Sequence, residues 1–458
     1  MQAVHHVLGR SGIRSLGPGA PSPSRFPFYH MRIGVSLSTE DFEEAVASSM
    51  SELQVGKYDS RSGISKYDLA TALQYGVGTG SKQLLSFIME HVKLIHKPRY
   101  QNWKCILTTG NTSALDTALR IFGDPGDYIL VEDHAYPTLF ETGLPLGFQF
   151  ARVQMDGQGL SPAHLDKVLS TWDDSGINGK KKPRLLYTVP TGQNPTGTTP
   201  DIHRRRAIYE IVQKHNLYIL EDDPYYYIQM PPYCSASVET QIAHPDTVDE
   251  FSNHLLPSYL SLDTDGRVFR MDSFSKTFAP GTRLGWVTAA EPVIDKVMRI
   301  HEVSVQDPSG FSQMVMFQLL HNGWGHLGWV RWLAHLQRTY TLRRNVLLDA
   351  CERFLPPQVV RWSTPRGGFF IWLTIDWLKH PHAKHKSARE IEQEIYDSAL
   401  DRGSLIMPGS WFLPDRGEKG IQGVFFRITF AAAKEQDMRE ATQALGTALR
   451  NVFQLETA

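Results

Sequence analysis

The sequence predicts an α/β fold, a large domain with a mostly parallel sheet between helices joined to a smaller α+β domain. Three observations carry that expectation. Short apolar, β-branched runs recur through the middle of the chain, each followed by a turn and a helical pattern; such runs suit strands covered on both faces, as parallel sheets require. Beyond about residue 335 the pattern changes to a long helix rich in Arg and Leu, followed by alternating strands and a helix. The 458 residues, 41% hydrophobic and 21% charged, are enough for a large core and more than one domain.

KCILTTG (residues 104–110) is the first strand of the predicted layer. It leads into the helical SALDTALRIF, with Thr112 or Ser113 placed to cap free N–H groups. DYILVED (127–133), RLLYTVP (184–190), LYILEDD (217–223) and RVFRMDS (267–273) read as further strands, which puts the large domain at about 76–330. HLQRTYTLRRNVLLDACERF (335–354) predicts the long helix; GGFFIWLTI, a helix near 387–402 and the strand VFFRITF complete the smaller domain, 331–458. GKKKPR (179–184) and the polar, unpatterned stretch at 230–256 read as surface insertions.

Charge and cysteine usage exclude several classes. Lys plus Arg number 47 against 48 acids, a net charge of −1, so no field favours nucleic acid or an anionic membrane. Cys105, Cys234 and Cys351 are odd in number and widely spaced, which argues against a disulfide framework or a cysteine zinc site and for a reducing compartment. No apolar run approaches the roughly 18 residues of a membrane span. Met1–Thr39 carries four arginines and no acid, as transit peptides do, but its GPGAPSPSRFPF spoils an amphipathic helix, so a cytoplasmic protein is expected. GVGTGS (76–81) falls short of a dinucleotide fingerprint at Ser81, HPHAKHKS (380–387) reads as a solvated loop, and no metal is expected.

Four motifs lie at the carboxyl ends of predicted strands, where open α/β sheets bind ligands. TTGNTSALD opens a helix whose free N–H groups suit a phosphate. PTGQNPTG is a loop carrying an amide, EDDPYYY supplies Asp222 and Tyr225, and FSKTFAP supplies Lys276. Each alone has a plainer reading as a cap, a turn or a solvated charge. Together they offer a phosphate cradle, an acid, a phenol, an amide and an amine, which suits pyridoxal 5′-phosphate: that cofactor needs a lysine for its Schiff base and an acid opposite its pyridine nitrogen.

From IRSLGPGAPSPSRFPF through LQYGVGTG, TTGNTSALD, PTGQNPTG, EDDPYYY, DSFSKTFAPGTRLGW and PRGGFFIWL to FRITFA, the chain resembles the class I/II aminotransferases of fold type I, near the fungal aromatic and kynurenine/2-aminoadipate group. The resemblance implies that Lys276 forms the Schiff base and, once released by substrate, moves the proton between Cα and C4′. It implies that Asp222 pairs with the pyridinium nitrogen, that Asn194 and Tyr225 bond the ring oxygen O3′, and that Tyr136 stacks on the ring. Ser113, Ala114, Ser273, Ser275 and Arg283 would hold the phosphate, and Tyr75 would reach the phosphate of a second subunit, which makes the active form a homodimer with shared sites. Arg427 would take the substrate α-carboxylate through its guanidinium fork, Asn194 would contribute beside it, Gly19 would flank the substrate, and Phe370 and Tyr75 would line an apolar pocket. Residues 1–75 would form an N-terminal arm and part of the small domain.

Two departures from the family pattern stand out: Pro18–Gly19 replaces a glycine pair with fewer residues before it, and the Tyr225–Lys276 spacing is long. The first predicts an altered substrate-gating element; the second fits the insertion at 230–256. The implied activity moves the amino group of Tyr, Phe or Trp to a 2-oxo acid, with 2-oxoglutarate expected. The alternatives are 2-aminoadipate or kynurenine as donor, or a C–S or β-lyase using the same lysine.

Overall fold

The computed structural model describes residues 16–17, 19–36, 51–173, 181–233, 244–415 and 423–456. Strands β1 (His30–Val35) and β2 (Ser51–Gly56) pair antiparallel. The central sheet draws on β3 (Trp103–Thr108), β4 (Tyr128–Glu132) and β5 (Gln149–Val153); after a two-stranded ribbon, β6 (Met155–Asp156) with β7 (Gly159–Leu160), it takes β8 (Leu185–Thr188), β9 (Tyr218–Asp222), β10 (Val268–Ser273) and β11 (Gly285–Ala290). The seven strands run in the order β3-β11-β10-β9-β8-β4-β5. The pairs among β10, β9, β8, β4 and β5 are parallel, and β11 runs antiparallel to both of its neighbours.

The continuous apolar runs follow from this position. Along β4, Ile129 and Val131 enter one core and Leu130 the other; along β8, Leu185 and Tyr187 face one way and Leu186 the other. Strand side chains alternate faces, so a strand apolar on both must be covered on both. The helix Lys82–Ile95 covers one face with Leu84, Phe87, Ile88 and Val92, and the helix Asn111–Phe122 covers the other with Ala114, Leu115, Ala118 and Leu119. Spacings of three and four give each helix one apolar stripe.

A four-stranded antiparallel sheet follows, in the order β12 (Val360–Trp362), β13 (Phe370–Ile375), β15 (Val424–Thr429), β14 (Met407–Pro408). Its Ile371, Leu373, Val424 and Phe426 belong to the same apolar core as Ile129, Leu185 and Phe269 of the central sheet. The two sheets therefore share one core.

The structure differs from the sequence expectation at several elements. β5 and β11 have no clear signal in the sequence, because QFARV mixes polar and apolar residues and GWVTAA follows a lysine-bearing turn with only the short 3-10 turn Pro280–Thr282 between. The long helix begins at Gly325, ahead of His335. The stretch 230–256 is not wholly unpatterned: Val248–His254 is a helix capped by Thr247, whose side chain accepts from the Glu250 N–H, and Phe251 is buried against the core. Residues 234–243, with Cys234, and from the arginine-bearing Met1–Thr39 the residues 1–15, Pro18 and 37–39 lie outside the described residues. Within the described residues no helix is long and apolar enough to cross a membrane.

Candidate active site

A cavity of about 340 Å³ opens where the parallel strands end, and its wall includes Lys276, Asp222, Tyr225, Tyr136, Asn194, Ser273, Ser275, Arg283, Phe370 and Arg427. Each sits there because of its element. Asp222 is the last residue of β9 and Ser273 the last of β10, so the chain must turn within the next few residues, which places Tyr225, Ser275 and Lys276 on the same rim. Tyr136 precedes the proline that opens the helix Pro137–Gly143. Arg427 comes from the middle of β15, so the smaller sheet closes the cavity from the far side.

Burial sets the electrostatics. Asp222 is 5% exposed; burial raises its proton affinity, against hydrogen bonds from Tyr187 and Asn111 and the charges of Lys276 and Arg270. Burial also lowers the Lys276 amine below the usual lysine range; the nearby Asp222 opposes that, and Arg283 and Arg427 reinforce it. More neutral amine is then present near neutral pH than on an exposed lysine. Burial pushes the Tyr225 phenol up, so it stays protonated and able to donate. Arg427 donates from Nη1 to Asn194 Oδ1 at 2.8 Å and lies over the rings of Phe370 and Phe412, at 4.3 and 4.8 Å. Its Nε is buried with no partner among the described residues. A cation between aromatic faces with an unspent donor suits a carboxylate.

The end of the cavity nearest β3 suits a phosphate. Gly110 has φ +94 and precedes the helix Asn111–Phe122 with no side-chain cap, which leaves first-turn N–H groups free. A Cβ on Gly110 would stand 2.6 Å from Arg283 Nη2, and its φ of +94 is one that side chains rarely adopt, so glycine suits this turn beneath the guanidinium. Ser273 and Ser275 are hydrogen-bonded Oγ to Oγ at 2.8 Å, and Arg283 reaches Ser275 Oγ at 3.4 Å and Thr109 O at 3.1 Å. Free amides, two hydroxyls and a guanidinium match the donor needs of a phosphate dianion, and the amine and buried acid match the other end of the cofactor. The site fits pyridoxal phosphate.

Not every expected residue lies on this wall. The helix starts at Asn111, so the cap is Gly110 and neither Thr112 nor Ser113; the positive φ of the glycine ends the loop earlier than the hydroxyls suggested. Asn111 and Thr112 line the cavity, whereas Ala114 is packed in the core and Ser113 is not on the wall. Tyr75 is 67% exposed and lines a separate groove with Pro21 and Val305, and Gly19 has open space around it. Sequence reading missed Asn111, which stands in the quoted TTGNTSALD, and Tyr187 in RLLYTVP, which passed as one more strand apolar. It also missed Phe412, which no motif marks.

The family model for class I and II aminotransferases matches residues 40–445. This chain belongs to that family. It is an aminotransferase and therefore a transferase, and pyridoxal phosphate is its cofactor. An aromatic amino acid aminotransferase of Schizosaccharomyces pombe is 40% identical over 443 residues, covering 96% of this chain and 92% of the relative. An L-tyrosine:2-oxoglutarate aminotransferase of Serpula lacrymans is 37% identical over 358 residues, covering 75% and 67%. The crystal structure of aminotransferase Aro8 from Candida albicans superposes with a TM-score of 0.92 at 35% identity, covering 99% of this chain and 95% of that one.

Proposed function

We propose that this aminotransferase moves the amino group of an aromatic L-amino acid to 2-oxoglutarate. The observation that carries the reading is the convergence of Lys276, Asp222 and Arg427 on one cavity. The aromatic donor is supported by Phe370 on the wall and by the printed activities of the relatives above.

Pyridoxal phosphate supplies an aldehyde that condenses with amines and a ring that takes up the electron pair released at the substrate's α-carbon. The chain's own groups do the rest. Ser273, Ser275, Arg283 and the amides at Asn111 and Thr112 bind the phosphate. Asp222, as an anion, would hold the ring nitrogen and favour a proton there. Asn194 and Tyr225 would hold the ring oxygen by hydrogen bonds, and Tyr136 would pack on the ring. Arg427 grips the α-carboxylate and orients the substrate so that its α-hydrogen meets Lys276. Lys276, as the neutral amine, would take that proton and would be the group that carries it from the substrate's α-carbon towards the cofactor.

The same reading makes the enzyme a homodimer, in which exposed Tyr75 meets the site of the second subunit; sedimentation at the mass of one chain would remove that part. It divides the chain into an N-terminal arm and part of the small domain at 1–75, a large domain at 76–330 and the rest of the small domain at 331–458. It places the enzyme in the cytoplasm, in keeping with the free, buried thiols of Cys105 and Cys351; a tagged copy in a membrane-bounded compartment would contradict this. The activity itself is tested by kcat/KM for Tyr, Phe, Trp, 2-aminoadipate and kynurenine with 2-oxoglutarate, with products identified. Glutamate and an aromatic 2-oxo acid in equal amounts are expected; preference for aminoadipate or kynurenine would overturn the donor, and ammonia or a thiol as product would overturn transamination.

A further inference from the structure

Both carboxylate oxygens of Asp222 are taken by neutral donors. Asn111 Nδ2 donates to Oδ1 at 2.7 Å, and the Tyr187 hydroxyl donates to Oδ2 at 2.7 Å. Register explains the second contact. Tyr187 on β8 stands opposite Leu220 on β9, two residues before Asp222, so both side chains leave the same face and the long phenol spans the diagonal. Tyr187 is fully buried in the core beneath the cavity. Asn111 is held in place by a second bond from Nδ2 to Met271 O at 3.0 Å, and Met271 is the residue paired with Asp222 across β10 and β9.

We propose that Tyr187 is a positioning residue for the cofactor: its hydroxyl holds Asp222 ionised and oriented, and through Asp222 keeps the ring nitrogen of pyridoxal phosphate protonated. This rests on the reading that Asp222 meets that nitrogen. Two bases, the carboxylate and the pyridine nitrogen, compete for one proton in a dry site. A buried carboxylate alone draws the proton to itself. Two donors aimed at its oxygens lower its basicity and leave the proton on the ring. The Tyr187 hydroxyl is pushed far above the usual phenol range, by burial first and then by Asp222 itself, so it remains a donor at any working pH. The other titratable groups that act on Asp222 are Lys276, Arg270, Asp272, Glu132 and Tyr225. All of them stay in place when Tyr187 becomes Phe, so that variant isolates one donor.

The test uses full-length enzyme loaded with pyridoxal phosphate carrying ¹⁵N in its ring. The ¹⁵N shift is recorded from about pH 6 to pH 9, and cofactor affinity is measured alongside. Wild type should show a protonated ring throughout. Tyr187→Phe should lose the ring proton at lower pH and bind the cofactor about tenfold or more weakly, the scale of one hydrogen bond to a charged group. A ¹⁵N shift equal to wild type across the range, with only a lower melting temperature, would overturn the proposal and leave Tyr187 as packing. If Tyr187→Phe does not fold, Asn111→Ala is read in the same way: an early loss of the ring proton supports the two-donor clamp, and an unchanged shift overturns it. A neutral ring in the wild type, or no cofactor bound, would instead overturn the reading of the site on which this rests.

Discussion

Arg427 and Asn194 are joined by a 2.8 Å hydrogen bond between the two sheets, Arg427 from β15 of the smaller sheet and Asn194 from the loop after β8 of the central one. The loop is pressed against the chain entering β13: a Cβ on Gly192 would lie 2.4 Å from the backbone of Gly367 and Gly368. The arginine expected to hold the substrate is thus oriented by the asparagine expected to touch the cofactor.

Replacing Arg427 should therefore damage carboxylate binding more than chemistry. Arg427→Lys keeps the charge but not the planar fork or its stacking on Phe370 and Phe412. We expect KM for amino acids and 2-oxo acids to rise about 10- to 100-fold, the range of one or two charged hydrogen bonds, with a smaller fall in kcat. Steady-state kinetics on an amino acid and on the matching amine, which lacks the carboxylate, checks this; equal effects on both would remove Arg427 from the carboxylate.

Lys276→Ala should leave the fold intact, because the side chain borders the cavity. Turnover should fall by at least about a thousandfold, in line with loss of a general base. Circular dichroism together with a coupled glutamate assay checks both halves, and near-normal turnover would displace Lys276 from its role.

Glu132 gives a pH signature outside the cavity. It is 3% exposed, and burial pushes its carboxyl up to about 7, against hydrogen bonds from Thr188 Oγ1 at 2.7 Å and Gln193 Nε2 at 3.0 Å. A carboxyl raised in the folded state is protonated there at a pH where the unfolded chain has already released it. Its contribution is complete below the unfolded value near 4.5 and is lost as pH rises through about 7. Melting temperatures from pH 5 to pH 8 should show wild type losing stability relative to Glu132→Gln as pH rises; a gap constant with pH would contradict the assignment.

Much of this molecule is legible in its sequence, for physical reasons. The buried strands show because a strand covered on both faces has no polar alternation to hide it, and Asp222 and Lys276 show because charged side chains at or just past strand ends stand out against apolar runs, whereas Arg427, in the middle of β15, is marked only by the family resemblance. Asn111 and Tyr187 do not show. One is an asparagine where hydroxyl residues signal a cap, and its role depends on the φ of Gly110. The other is a tyrosine whose ring counts as core and whose hydroxyl finds Asp222 only through the pairing of β8 with β9. β11 is silent for a similar reason: an antiparallel strand inserted between parallel ones is a fact of topology, not of local pattern.

The most direct test of the central claim is the visible absorption spectrum of the purified enzyme, before and after L-tyrosine alone and again after 2-oxoglutarate. The account predicts that the cofactor band near the visible converts to the amine form of the cofactor on adding tyrosine, and that 2-oxoglutarate restores it. A band that stays unchanged with every aromatic amino acid would contradict the assigned donor, and no band after adding pyridoxal phosphate would contradict the site itself.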